Sequence, residues 1–141
     1  FNQVIKNLPA EITQNLKNKN QNLVIQISTG NISTDLNLIS TAIHRAIHNA
    51  TKFGTATTDI IFSATKTDDG KNLISITNQG PAISEAVLSK ILKPFQLDEN
   101  VMNHSVGMGL GLTICQALIK ALKGTMSVRN LSTGVTVEFK L

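Results

Sequence analysis

An α+β two-layer sandwich, with a mixed or antiparallel sheet and helices on one face, is the fold this sequence predicts. Three observations predict it. Strand-like and helix-like periodicities follow in the order β, α, β-β, short α, loop, α, β-β, so the strands are not separated one by one by helices, as a doubly wound dinucleotide fold requires. Asp68-Asp69-Gly70-Lys71 is a hairpin turn between two strand-like runs. At the C-terminus Val135, Val137, Phe139 and Leu141 alternate with Thr136, Glu138 and Lys140, the pattern of a strand with one buried and one wet face.

Each element has its own local reason. Residues 3–20 are polar and rich in Asn and Lys, with Pro9 placed to open a short helix. This lead-in, residues 1–21, is read as belonging to an upstream region, and residues 22–141 as one domain. Asn22–Ser28 is strand-like by its β-branched content, and Gly30 breaks it. Ser33 or Thr34 is the expected helix cap, with Asp35 in the first turn, where its charge favours the helix dipole. Ile39, Ala42, Ile43, Ala46, Ile47, Ala50 and Phe53 then recur at helical spacing and give one apolar face, ended by Gly54. Thr58–Thr65 and Asn72–Asn78 form the hairpin, and Pro81 ends it. Ser84 caps a short helix to about Leu92, which Pro94 stops. Gln96–Met108 is polar without a period and reads as a mobile loop. Leu110–Lys123 is amphipathic again, with Gly124 as its stop.

Bulk properties narrow the function. The 141 residues fit one domain with a real core, and 41% apolar against 16% charged composition is that of a globular chain. A net charge of +4 favours an anionic ligand. With no Trp or Tyr, five Phe and no Lys/Arg cluster, the chain has little to stack on bases, and nucleic acid is not an expected partner. The single Cys115 excludes an internal disulfide and fits a reducing compartment. No apolar run reaches the ~18–20 residues that cross a bilayer, and the start at Phe1 lacks the layout of a signal peptide. That start reads as a segment cut from a longer protein.

Three local motifs carry chemistry. Gly107-Met108-Gly109-Leu110-Gly111-Leu112 opens a helix. Its alternate glycines let backbone N–H groups approach an anion, and the helix N-terminus adds positive potential. A plain turn is the alternative. It matches neither the P-loop, since no Gly-Lys-Ser/Thr follows, nor the Rossmann fingerprint. Asn49-Ala50-Thr51-Lys52-Phe53 ends the long helix. Asn49 offers a hard oxygen for Mg²⁺ and Lys52, three residues on, a charge for phosphate, though taken alone the pair is better accounted for as a solvated helix end. Asn78-Gln79-Gly80-Pro81-Ala82 follows a strand, where a carboxamide can read an adenine edge and Gly80 lets a base approach the backbone. An ordinary Asn-Gly-Pro turn is the alternative.

The order and spacing of these motifs resemble the ATP-binding catalytic domain of sensor histidine kinases, in the superfamily shared with DNA gyrase, a heat-shock chaperone and a mismatch-repair ATPase. Asn49-Ala50-x-Lys52-Phe53 resembles the N box, Asn78-x-Gly80-Pro81-Ala82 the G1 box, Lys93-Pro94-Phe95 the F box and Gly107-x-Gly109-Leu110-Gly111-Leu112 the G2 box. Gly134 and Thr136 are similar to a closing motif whose threonine lies near the adenine. The resemblance implies the Bergerat-type fold, ATP and Mg²⁺ as ligands, Asn49 on the metal, Lys52 on the phosphates and Asn78 on the adenine amino group. It also implies Gln96–Met108 as an ATP lid anchored by Phe95, and the Gly109–Leu112 backbone on the phosphates.

The chain departs from that pattern in three places. Arg45 stands where the first box has an Asn four residues before Asn49, a cation that either contacts phosphate or weakens Mg²⁺ binding. Asn78 replaces the usual Asp, and Ala82 the last Gly. Between Phe95 and Gly107 only His104 can donate a positive charge.

The remaining candidates have plainer readings. His44 and His48 share a metal-capable spacing but lack a third ligand, so they are read as solvated or helix-packing residues. Cys115 is read as buried, and Met102 and Met108 as packing for the lid.

The resemblance therefore implies a catalytic domain that binds Mg-ATP and transfers the γ-phosphate to a histidine on a dimerisation domain absent from this chain. A response regulator is then the downstream partner, the parent a homodimer with this part in the cytoplasm, and the fragment a monomer. Two alternatives keep the fold: a degenerate nucleotide-binding scaffold without phosphotransfer, and a stand-alone serine kinase of the sigma-factor-antagonist type. The latter carries a carboxylate where Arg45 stands.

Overall fold

Ten elements make up the computed structural model, which describes residues 1–91 and 109–141. They are α1 (Asn2–Lys6), α2 (Ala10–Asn18), β1 (Asn22–Ile27), α3 (Leu36–Phe53), β2 (Asp59–Lys66), β3 (Asn72–Gln79), α4 (Glu85–Ile91), α5 (Gly109–Ala121), β4 (Thr125–Asn130) and β5 (Gly134–Lys140). The strands form one five-stranded sheet in the order β1-β2-β3-β5-β4. β1 runs parallel to β2, with α3 as the crossover that a parallel pair needs, and the other pairings are antiparallel. This is the expected α+β sandwich with a mixed sheet.

The β2–β3 hairpin closes where the sequence places it. Thr67 N–H donates to the Lys71 carbonyl at 2.9 Å, and Gly70 takes φ +78°, which its missing β-carbon permits.

Alternation along the strands sorts the residues into two faces. Ile60, Phe62 and Ala64 of β2, Ile74 and Ile76 of β3, and Val135, Val137 and Phe139 of β5 turn toward the helices and are buried. Ile39, Ala42, Ile43, Ala46 and Ile47 of α3 and Leu112, Cys115 and Ile119 of α5 complete the core from above. Burying each large side chain contributes about 1.5–3 kcal/mol, so this single interface dominates the stability of the domain. The opposite face carries hydroxyl ladders: Ser63 with Ser75 at 2.6 Å and Thr77 with Thr136 at 2.9 Å.

Asp35, rather than Ser33 or Thr34, caps α3. Its backbone is extended (φ −66°, ψ 114°), and its carboxylate accepts the Leu38 N–H at 2.9 Å. The same side chain thus satisfies an orphan donor and meets the positive end of the dipole, worth about 1 kcal/mol.

The other end of α3 is held from a distance. Lys19 Nζ donates to the carbonyls of Lys52 and, at 3.0 Å, Gly54, placing an ammonium on the negative end of the helix.

The polar lead-in is part of this packing. Val4, Ile5 and Ile12 are buried in the core, and Phe1 lies against Phe62 with ring centroids 6.1 Å apart. His44 Nε2 meets the Val4 carbonyl at 2.9 Å and His48 Nε2 meets Glu11 at 3.0 Å, so both histidines tie α1 and α2 to α3. Among the described residues no cluster of His, Cys, Asp and Glu could hold a metal.

Candidate nucleotide site

One cleft opens between α3, α5 and one end of the sheet. Helix α3 contributes Ala46, Asn49, Ala50 and Phe53, and α5 contributes Leu112. Ile76 and Asn78 come from β3, Val135 and Val137 from β5, and Pro81 and Ile83 from the connection after β3. Its cavity volume is about 20 Å³, with a mouth open to solvent. Its lining is apolar, with carboxamides from Asn49 and Asn78, the layout of a small-molecule site in which a few polar groups set orientation.

Asn49 stands in the last turn of α3, beside α5. A β-carbon built on Gly111 would come 3.8 Å from Asn49 Oδ1, an ordinary van der Waals distance, so the two residues are neighbours across the α3–α5 contact. Asn78, at the end of β3, is 8% exposed, and its Nδ2 donates to the Gln79 carbonyl at 3.1 Å. Gly80 fits close against the end of α3. A β-carbon there would lie 2.9 Å from the Phe53 carbonyl and 3.2 Å from Asn78 Nδ2.

Gly134 is the tightest of these glycines. Its added β-carbon would overlap the Asn78 carbonyl oxygen.

Two cations flank the cleft without lining it. Lys52 is exposed, with Nζ 5.5 Å from the centre of the Phe53 ring that forms one wall. Arg45, one helical turn before Asn49, is also exposed, and its charge reaches α5. There the Cys115 thiol is pushed up to about 12 by burial, and Arg45 only partly offsets that rise.

The chain matches the model of the family described as "Histidine kinase-, DNA gyrase B-, and HSP90-like ATPase" over residues 34–141, from the start of α3 to the end of β5. It belongs to that family. It is 32% identical over 109 residues to the tetrathionate sensor histidine kinase TtrS of Salmonella typhimurium, covering 72% of this chain and 17% of that protein. The chain thus spans about a sixth of that relative's length. Two solved structures share the fold. The Acinetobacter baumannii histidine kinase AdeS superposes with TM-score 0.78 at 21% identity, over 100% of this chain and 64% of AdeS. Histidine kinase ThkA, solved in complex with the response regulator protein TrrA, superposes with TM-score 0.74 at 21% identity, over 100% and 40%.

Within this histidine kinase-type ATPase domain, Asn49, Asn78 and Leu112 come together at the cleft, with Gly80 and Gly111 beside the two carboxamides. Ala82 is exposed and does not line it, and Gly109 and Leu110 open α5.

Thr136 stands on the face of the sheet away from the cleft. It hydrogen-bonds Thr77 on the far face of the sheet and is 4% exposed, whereas its neighbour Val135 pairs with Asn78 and lines the cleft. Strand residues one apart point to opposite faces, so only one of the two can stand near a ligand here. The clean alternation in the sequence carried this parity.

Lys93, Pro94, Phe95, His104, Gly107 and the Gln96–Met108 lid fall outside the described residues, as do Met102 and Met108. Among the described residues no helix is long and apolar enough to cross a membrane.

Sequence reasoning missed three participants: Ile83 as a wall of the cleft, Lys19 behind Lys52, and Asn130, which hydrogen-bonds Ile83. Each acts through a contact far along the chain, and no local signal announces it.

Proposed function

We propose that this domain binds Mg-ATP in the α3–α5–sheet cleft and presents the γ-phosphate to a histidine on a separate dimerisation domain of a longer protein. The observation that carries the reading is the convergence of Asn49 and Asn78, from α3 and β3, on one cleft, with Gly111 beside the first and Gly80 beside the second.

In this reading Asn78 binds the adenine. With Nδ2 donating to Gln79, its Oδ1 is the atom that accepts from the exocyclic amino group. Val135 and Ile83 pack on the base, and Gly80 keeps the backbone close to it. Asn49, beside Gly111, supplies a hard oxygen to Mg²⁺. When bound, Mg²⁺ neutralises charge on the phosphate oxygens. Lys52 and Arg45 add positive charge at the rim, and the α5 N-terminus, from Gly109 to Leu112, offers backbone N–H groups to the phosphates. His104, Phe95 and Gly107 keep their sequence-based assignments to the lid. A neutral imidazole is already a nucleophile, so the domain's task is positioning and charge neutralisation rather than base catalysis. A response regulator is then the next acceptor, the parent protein is a homodimer, and this part of it works in the cytoplasm.

Calorimetric titration with a non-hydrolysable ATP analogue, with Mg²⁺ and with EDTA, tests the site. Mg²⁺-dependent binding that disappears in Asn49→Ala is the expected result. Supplying a cognate dimerisation domain in trans then tests transfer, and nucleotide binding without phosphohistidine removes the catalytic half. Arg45 beside Asn49 favours one second reading, a nucleotide-binding scaffold in which a side-chain cation replaces part of the metal's role. Binding indifferent to Mg²⁺ selects it.

A further inference from the structure

Asn130 ends β4, and its carboxamide makes two hydrogen bonds to one residue 47 positions earlier in the chain. Ile83 N–H donates to Asn130 Oδ1 at 2.8 Å, and Asn130 Nδ2 donates to the Ile83 carbonyl at 2.8 Å. A carboxamide presents a donor and an acceptor side by side, as a peptide group does. Asn130 therefore serves Ile83 as a strand neighbour would.

Ile83 needs such a partner. It lies in the connection between β3 and α4, outside any ladder, and its buried peptide groups must be satisfied somewhere. Its side chain is 5% exposed and forms a wall of the cleft with Pro81. The start of the same connection is fastened to the same turn, since Gly80 N–H donates to the Thr133 carbonyl at 3.1 Å. Both anchors belong to the β4–β5 hairpin, Asn130 at the end of β4 and Thr133 in the connection after it. Asn130 pairs with Val135, and Val135 with Asn78, so the three stand in one row across the end of the sheet. The wall and the carboxamide that faces it are thereby held to one frame.

We propose that Asn130 is a positioning residue for the nucleotide site, fixing Pro81 and Ile83 as the wall against which the base is held. The proposal rests on the ATP-binding reading above. Asn130 acts through the Ile83 peptide groups rather than on the phosphates.

The test uses the whole chain, titrated with a non-hydrolysable ATP analogue well below its melting temperature, beside amide hydrogen exchange at Ile83. In Asn130→Ala the dissociation constant rises about tenfold, the net worth of one to two hydrogen bonds. Ile83 N–H exchanges faster without ligand and is protected again at saturating analogue. Asn130→Asp, which keeps the acceptor and loses the donor, gives an intermediate loss, and it serves in place of the alanine variant if that one does not fold. A role confined to stability lowers the melting temperature and leaves the dissociation constant unmoved. That result, with wild type binding normally, overturns the positioning role alone. A wild-type chain that binds no analogue removes the ATP reading and this role with it, while faster Ile83 exchange in the variant still shows the clamp itself.

Discussion

Gly111 and Asn49 face each other across the α3–α5 contact, 3.8 Å apart if a β-carbon is placed on the glycine. That distance is an ordinary van der Waals contact, so an alanine fits without displacing backbone. Gly111→Ala is expected to leave the melting temperature unchanged or raise it, because glycine inside a helix costs about 0.5–1 kcal/mol relative to alanine. Gly111→Val adds branches that press on the carboxamide, and it is expected to weaken Mg-nucleotide binding at least tenfold in the same titration. Equal binding in the valine variant would count against Asn49 as the metal-side oxygen.

Gly134 gives the opposite outcome. With the Asn78 carbonyl oxygen in the way of any β-carbon, Gly134→Ala must push β5 from β3 where they pair at Gln79–Gly134. Urea unfolding should show a loss of about 2 kcal/mol or more. Since Val135 moves with its neighbour, nucleotide affinity should fall as well.

Cys115 is buried, with its thiol raised from 9.0 to about 12 by that burial. A disulfide-exchange reagent at pH 8 should label it only as fast as the domain unfolds. Raised folded-state pKa means that stability is full below pH 9, where the unfolded thiol still holds its proton, and declines between pH 9 and 12. Cys115→Ala should flatten that alkaline decline in denaturation curves taken at successive pH values.

Lys19 closes the C-terminal end of α3, with Nζ on the carbonyls of Lys52 and Gly54. Lys19→Met keeps the stem and removes the charge. It should cost about 1 kcal/mol in urea unfolding, and the last turn of α3, which bears Asn49 and Lys52, should show faster amide exchange.

The sequence by itself determined the elements, their order and which face of each is apolar, because these follow from periods of two and 3.6 residues and from turn residues that act locally. The α3 stripe from Ile39 to Phe53, the Asp68–Lys71 turn and the alternation from Val135 onward needed no tertiary information. The motif residues Asn49, Asn78 and Gly111 were legible for the same reason, being short patterns at element ends. Tertiary structure decided what lies across from what. It set Val135 beside Asn78 at the cleft, because the register of β5 is defined by the partner strand β3. It sent His44 and His48 to α1 and α2, turned Lys19 onto the end of α3, and set Asn130 on Ile83. These contacts join residues from 33 to 47 positions apart. Such contacts come into being only when packing of the apolar faces brings the elements together, so no window of local sequence contains both partners.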